Sequence, residues 1–393
     1  MKKIFKFIFS LALVLMACLV FYIGYLYIQN PLVVTRLGGV IMGKNPGIPE
    51  KIISGRGIPI GTILEESLIS QDALNKSINF AKENDSHALL VFHQDNLELE
   101  HYFEGYSKNH NSSTASMHKT VLAILIGIAI DQGYIKDVDV FASTYITEWA
   151  NDDRKNITIR QMLQQVSGID FPTFSFHPLS DWNQLVVGDQ ITQSTINQMS
   201  VQLPDREFAY NGVNPQILGL LLERSTGLRY SKYLSENLWG KIAEDDAFIF
   251  LDSEVTKMPR IFCCLDATAR DWLRVGLLIL NKGTVNNQRI VSNKWIDQMT
   301  TPSTLNPNYG YLTWLGTDHK ERRVYNRKSS ATAFHKEPFI DNDVIYLDGF
   351  GGQRVYIVPS KKLVIVRTGA IQMEWDDSFL VNTISEGINQ NNP

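Results

Sequence analysis

Apolar residues are distributed along this chain in three patterns, and each predicts a different kind of element. No charged residue occurs from residue 7 to residue 28, and a helix of that length spans about 33 Å, enough to cross the hydrocarbon of a bilayer. Residues 121–130 are apolar at every position, which predicts a helix buried on all sides rather than one with a single apolar stripe. Residues 97–101 alternate apolar and polar after an apolar run at 88–93 and the turn residues Gln94-Asp95-Asn96. That is the pattern of a half-buried hairpin.

The same reading continues to the C-terminus. Helical periodicity appears at 70–82, at 215–226 with Gly227 as a C-cap, at 267–281, at 294–300 and at 379–388. The β-type runs are 309–314, 344–347, 354–358 and 363–367, the last two separated by Pro359-Ser360-Lys361. Strands at both ends of a helical middle predict an α+β architecture: an antiparallel sheet flanked by helices, with an inserted, mostly helical lobe at roughly 134–300. Residues 1–30 are expected to form a membrane anchor and 70–393 the folded body. Between them, 31–69 carry Pro31, Pro46, Pro49, Pro59 and Gly38-Gly39 without a sustained period, and read as a tether or loosely packed lead-in.

Charge refines this picture in two places. Lys2, Lys3 and Lys6 precede the apolar span and no lysine follows it until Lys44, which predicts a bacterial inner-membrane protein with its N-terminus in the cytoplasm and its body periplasmic or extracytoplasmic. Leu15-Met16-Ala17-Cys18 is the competing feature, because it is similar to a lipoprotein processing site with Cys18 as the lipidated residue. Over 393 residues the net charge is only −4, with no basic cluster beyond the first six residues, which argues against a nucleic-acid partner. Cys263 and Cys264 are adjacent and Cys18 lies in the leading segment, so neither a disulfide nor a metal site is expected, and no cofactor is implied. His87, His93 and His101 lack any ligand spacing and read as surface or edge-strand residues.

The chemistry centres on Ser116-Met117-His118-Lys119. If Ser116 opens the buried helix, Lys119 lies one turn on and on the same face. Burial and the positive helix start both disfavour its ammonium form, so the amine can take the hydroxyl proton. Ser-x-x-Lys alone is weak, since about one chance match is expected in a chain of this length. Its company gives it weight. Gln165-Val166-Ser167-Gly168-Ile169, then Tyr210 before Leu218-Gly219 and Glu223-Arg224-Ser225-Thr226-Gly227, then Gly349-Phe350-Gly351-Gly352-Gln353 follow in that order.

This order of motifs resembles the serine β-lactamase-like superfamily over about residues 70–369, and is similar to the branch holding class C β-lactamases, family VIII esterases, D-amino-acid peptidases and 6-aminohexanoate-dimer hydrolases. Asp266-Ala267-Thr268-Ala269-Arg270-Asp271, Gly276-Leu277-Leu278 and the Gly-Gly-Gln element lean toward the last of these. The resemblance implies a β-lactamase/transpeptidase-like fold and a serine hydrolase of small ester or amide substrates. Ser116 would form an acyl-enzyme, with Lys119 or Tyr210 as base, the choice left open. The oxyanion would meet the N–H groups of Ser116 and of a residue near Gln353, with Gly351 and Gly352 letting the strand approach. Two positions depart from the usual pattern: Gly212 stands where an amide or hydroxyl is common, and Phe350-Gly351-Gly352 replaces Lys-Thr-Gly or His-x-Gly, so no cation is present there. A catalytically weak protein that holds or senses cell-wall peptides or β-lactams on the same fold is the other class this pattern admits.

Overall fold

The computed structural model describes residues 2–391 apart from 43, 64, 65, 174, 176 and 330. Its centre is a six-stranded antiparallel sheet of β1 (Ser86–His93), β2 (Asn96–Tyr102), β3 (Trp314–Leu315), β4 (Ile345–Gly349), β5 (Gln353–Val358) and β6 (Leu363–Gly369). The spatial order is β2-β1-β6-β5-β4-β3. Successive side chains point to opposite faces of a strand, and both faces here are covered. Leu90, Leu347, Val355, Ile357, Val364 and Val366 join the larger core beneath the helix Ala269–Leu280. Leu89, Val91, Tyr346, Tyr356, Val358 and Ile365 face the other way, toward Gln71–Glu83 and Asp377–Asn391. A sheet buried on both sides explains why these strands read as apolar runs while β2, at the edge, kept its alternation.

The helical lobe lies between β2 and β3. It is built around His118–Asp131 and Val213–Thr226, which pack on each other. A second, four-stranded sheet ties the lobe together in the order Ile48–Ile52, Ala247–Leu251, Leu265–Ala267, Ser112–Ser113. Its last strand delivers the chain to Ser116. Residues 309–314 are not the continuous strand their composition predicts: Leu312 takes a φ of +47°, and only Trp314–Leu315 pairs with β4.

Two further differences from expectation concern residues the sequence pattern underrates. Cys263 and Cys264 are joined to each other. Their adjacency had argued against a bridge, but the ring between neighbours is accommodated with Cys264 at a φ of +68°. The lead-in is also tightly packed. Asn30 caps a helix at Pro31–Ile41, accepting from Val33 N at 3.0 Å. Arg36 donates to the carbonyls of Val187 and Gly188 at 2.9 Å and of Asp252 at 2.6 Å, and Ile52, Ile58 and Ile60 are buried in the main core. The preceding helix, Lys2–Gln29, is long and apolar enough to span a membrane or to be a signal sequence.

Deleting residues 1–29 is therefore expected to leave a cooperatively melting protein. Deleting 1–69 is expected to abolish the transition, because each of the three isoleucines contributes about 1.5–3 kcal/mol by its burial. Calorimetry on the two truncations checks this; equal stability of both would show that the lead-in is a tether after all.

Candidate active site

Residue 116 is held from both sides. Upstream, Ser112 and Ser113 pair with Ala267 and Asp266, and Thr114 Oγ1 donates to Leu265 O at 2.8 Å. The chain then turns sharply. Ala115 adopts a left-handed φ of +47°, a conformation that costs a non-glycine residue about 1–2 kcal/mol and persists only where its surroundings enforce it. Ser116 sits in a single 3₁₀ turn, Ala115–Met117, and the α-helix itself begins at His118. His118 Nδ1 lies 2.8 Å from Cys263 O and Nε2 2.8 Å from the Tyr230 hydroxyl. A carbonyl only accepts, so Nδ1 carries the proton and Nε2 accepts from Tyr230. Burial pushes this imidazole down to about 4, so it is neutral and serves as a fixed bracket beneath the serine.

Lys119 projects onto the same side as Ser116. Its Nζ is 2.7 Å from Ser116 Oγ and 2.6 Å from the carbonyl of Phe262. Burial lowers its pKa from 10.5 to about 7, with Asp348 acting in the opposite direction. Close to neutral pH a large share of the molecules thus carries an uncharged amine in contact with the hydroxyl, the state a proton acceptor needs.

The Tyr210 ring lies 4.8 Å from Lys119 Nζ, measured to the centroid. Its backbone is tied on one side to the 322–328 segment, through Tyr210 N to Tyr325 O at 3.1 Å and Asn326 Nδ2 to Tyr210 O at 2.7 Å. On the other side the Gln165 motif holds its neighbour. Gln165 Nε2 donates to Asn211 O at 3.1 Å, Gln165 Oε1 accepts from Asn214 Nδ2 at 2.8 Å, and Ser167 Oγ donates to Asn214 Oδ1 at 2.7 Å. Burial, and after it the charge of Asp348, pushes the phenol well above its usual 10, although the Ser116 hydroxyl, Arg323 and Arg354 oppose this. Gly212 has a packing reason. A Cβ there would come within 3.2 Å of the Phe262 ring, and Phe262 supplies the carbonyl that holds Lys119.

The third motif approaches the serine through an unexpected glycine. A Cβ on Gly349 would lie 2.2 Å from Thr114 O and 3.2 Å from Met117 Cγ. Only glycine lets the end of β4 reach the segment that carries Ser116. Phe350 follows, half-exposed. Gly351 and Gly352, with φ of +75° and +84°, form the turn into β5 and lie against Ile371 and Trp375. The Gln353 side chain is engaged elsewhere, donating to Gly369 O at 2.7 Å and accepting from Gly369 N at 2.9 Å. Of residues 349–353, then, Gly349 is the one whose backbone abuts the serine segment, with the start of β5 beside it.

Behind this strand end lies a buried ionic cluster. Asp348 accepts from Arg323 Nη2 at 2.7 Å and from the Tyr325 hydroxyl at 2.9 Å, and pairs with Arg354 Nη1 at 2.8 Å. Arg354 in turn pairs with Asp377 at 2.5 Å. The Arg354 side chain, through Nη1, also donates to Gly349 O at 2.6 Å, so the cluster fixes the strand end as well as the field around Lys119 and Tyr210.

A beta-lactamase family model matches residues 80–369. The chain belongs to the beta-lactamase family. It is 28% identical over 229 residues to 6-aminohexanoate-dimer hydrolase of Paenarthrobacter ureafaciens, a match covering 56% of this chain and 58% of that protein, so it spans little more than half of that relative's length. Among solved structures it is similar to a Bacillus anthracis protein assigned as a 6-aminohexanoate-dimer hydrolase, with a TM-score of 0.68 at 20% identity over 93% of this chain and 94% of the other. It is also similar to a family VIII carboxylesterase, with a TM-score of 0.60 at 16% identity over 81% and 98%. At these identities the structural likeness is one of fold, the beta-lactamase-like α+β fold.

Within this beta-lactamase-family chain, sequence reasoning overlooked His118, the Phe262 carbonyl, Asp348 and Arg354. A backbone carbonyl leaves no sequence signal. Asp348 and Arg354 did leave one, as charges inside runs that otherwise read as buried strands, where an ionised side chain requires a partner.

Proposed function

We propose that this protein hydrolyses carboxylester or amide bonds of small molecules through an acyl-enzyme on Ser116, with Lys119 as the acylation base and Tyr210 as a neutral phenol. The observation that carries this reading is the 2.7 Å contact between Lys119 Nζ and Ser116 Oγ, made by an amine whose pKa is lowered to about 7. Tyr210 shifts the other way, which disfavours a phenolate base. As Ser116 Oγ bonds to the substrate carbonyl carbon, its proton passes to Lys119. When the tetrahedral intermediate collapses, the carbon–oxygen or carbon–nitrogen bond breaks and the leaving group takes a proton by way of the Tyr210 hydroxyl and Lys119. Water then attacks the acyl carbon and gives its proton to Lys119. The bond from the acyl carbon to Ser116 Oγ then breaks, Lys119 returns the proton to Oγ, and the acid departs.

For the oxyanion we assign the N–H groups of Ser116 and Phe350 in place of the Gln353 N–H that the motif suggests. The close approach at Gly349 supports that choice, since donors must converge on the developing charge to be effective. Phe171 and Phe262, beside Gly212, give the acyl side an apolar wall. We further infer that the apolar helix at Ile4–Gln29 attaches the enzyme to the bacterial inner membrane with its body periplasmic or extracytoplasmic, either as an uncleaved anchor or after lipidation at Cys18. A panel of p-nitrophenyl esters, D-amino-acid amides and linear amide dimers tests the substrate class; no turnover of any of them would sink it.

The base assignment has a signed pH dependence. Below about pH 7 Lys119 is an ammonium and cannot accept a proton, so kcat/KM is expected to rise with unit slope up to a midpoint near pH 7 and then level off. Folding stability should change in the same direction. The unfolded lysine, with a pKa of about 10.4, binds more protons than the folded one between the two values, so stability rises with pH across that window. A pH–rate profile measured from pH 5 to 11 checks the first point, and an acid limb centred near 10, the ordinary value of a lysine amine, would overturn the lowered pKa on which the assignment of Lys119 rests.

A further inference from the structure

We propose that the bond between Cys263 and Cys264 positions the Lys119 amine, so that reducing this bond to two thiols lowers turnover; the proposal rests on the reading of Lys119 as the base. Residues 262–266 run alongside residues 113–119 and hold them. Phe262 O accepts from Lys119 Nζ at 2.6 Å, Cys263 O from His118 Nδ1 at 2.8 Å and Leu265 O from Thr114 Oγ1 at 2.8 Å, while Asp266 pairs with Ser113. This strip is anchored at both ends. Downstream, Leu265–Ala267 is a strand of the second sheet. Upstream, Ile261 N donates to Gln216 Oε1 at 2.9 Å, and Gln216 Nε2 donates to Pro259 O at 2.9 Å. The stretch between these anchors, residues 262–264, carries both the Lys119 and the His118 acceptor.

The disulfide lies within that stretch and closes a small ring through the peptide bond between its two residues. Cys264 has a left-handed φ of +68°, a conformation that a residue with a Cβ keeps only while its surroundings enforce it. With the ring open, Cys264 relaxes toward negative φ. Its downstream side is fixed in the sheet, so the relaxation turns the peptide groups of 262 and 263 and withdraws Phe262 O from Lys119. The other groups that face Lys119, the Ser116 hydroxyl, the Tyr210 ring and the Asp348 charge, lie outside this stretch, so reduction acts through the Phe262 contact. The co-reactant is an external dithiol. Its thiolate attacks the sulfur of Cys263, which is half-buried whereas Cys264 is buried. The Sγ–Sγ bond breaks, Cys264 leaves as a thiolate and takes up a proton, and the second thiol of the reductant displaces Cys263. Two electrons pass to this chain, and the dithiol becomes a disulfide. The bond persists without such a reductant in the extracytoplasmic compartment proposed above.

The test compares the full-length protein in detergent as purified under air with the same protein reduced by dithiothreitol and desalted anaerobically, using p-nitrophenyl butyrate. Cys263 and Cys264 are expected to resist alkylation before reduction and to alkylate after it. Reduction is expected to lower kcat at least about tenfold with KM within about twofold. The midpoint of the acid limb of the pH–rate profile is expected to move by at least about half a pH unit. Oxidised glutathione should restore both, which separates a switch from unfolding. Cys263→Ser/Cys264→Ser is expected to behave as the reduced protein and to ignore dithiothreitol, although it retains the exposed Cys18; if that variant fails to fold, the redox cycle of the unaltered protein decides. Alkylation of both cysteines before reduction, an unchanged kcat and limb after it, or a loss that reoxidation does not restore overturns the proposal and leaves the base assignment standing. An oxidised protein without a limb near pH 7 removes the base assignment, and the proposal with it.

Discussion

Ser116→Ala is expected to lower ester turnover by at least about three orders of magnitude, the scale on which removing a serine nucleophile acts, and to abolish labelling by a fluorophosphonate. The melting temperature should barely change. Ser116 is half-buried, the substitution removes one hydroxyl, and Lys119 Nζ retains its 2.6 Å bond to Phe262 O. The fold around the site is held by other contacts, such as those of His118 with Cys263 and Tyr230. Lys119→Ala and Tyr210→Phe should each remove most of the activity. Their double variant should cost little more than the worse single one, because residues that move one proton as a unit do not contribute additively. Retention of more than a few per cent of activity in Ser116→Ala would place the nucleophile elsewhere, and additive losses would mean that Lys119 and Tyr210 act in separate steps.

The elements behind this prediction differed in how legible they were. The all-round apolar run 121–130 marked a buried helix because burial on every side leaves no polar stripe, and residues 121–129 are indeed buried. The hairpins at 86–102 and 353–369 were legible because turn residues interrupt runs that can only be strands. The lead-in was misread for the opposite reason. Prolines and glycines signal irregular backbone, but they do not reveal whether Ile52, Ile58 and Ile60 find a core to enter. The start of the 118–131 helix also slipped by two residues, because the left-handed turn at Ala115 is imposed by tertiary contacts that an alanine does not announce. At the site, side chains could be named but approach distances could not. That Gly349, rather than Gly351 or Gly352, abuts Thr114 depends on where β4 ends against the lobe, which no spacing encodes.

The structure also sharpens an expectation about substrate class. Hydrolysis of p-nitrophenyl butyrate is expected to exceed that of nitrocefin by at least about a hundredfold in kcat/KM, equivalent to roughly 2.7 kcal/mol of transition-state stabilisation. Enzymes that specialise in β-lactams, as the family resemblance implies, place a cation at the third motif to pair with the drug's carboxylate, a contact contributing about 1.5–3 kcal/mol in a partly dry cleft. Phe350 has none to offer. The basic segment at 317–337 is near enough in sequence to be a substitute source, but its arginines are already committed. Arg322 pairs with Glu374 at 2.6 Å, Arg323 with Asp348 at 2.7 Å and Arg327 with Glu207 at 2.6 Å, while Lys328 pairs with Asp170. Lys320 lines a cavity to which none of Ser116, Lys119 and Tyr210 contributes. Gly212 removes a further polar grip on the acyl amide, and its place is taken by the Phe262 ring. A simple ester needs neither contact, only the nucleophile, its base and the oxyanion donors. Phe350→Lys, which places an ammonium on the exposed turn, should narrow the gap between the two substrates by about tenfold if the missing cation is the cause. Comparable efficiencies on nitrocefin and the ester in the unaltered protein would overturn this account of the selectivity.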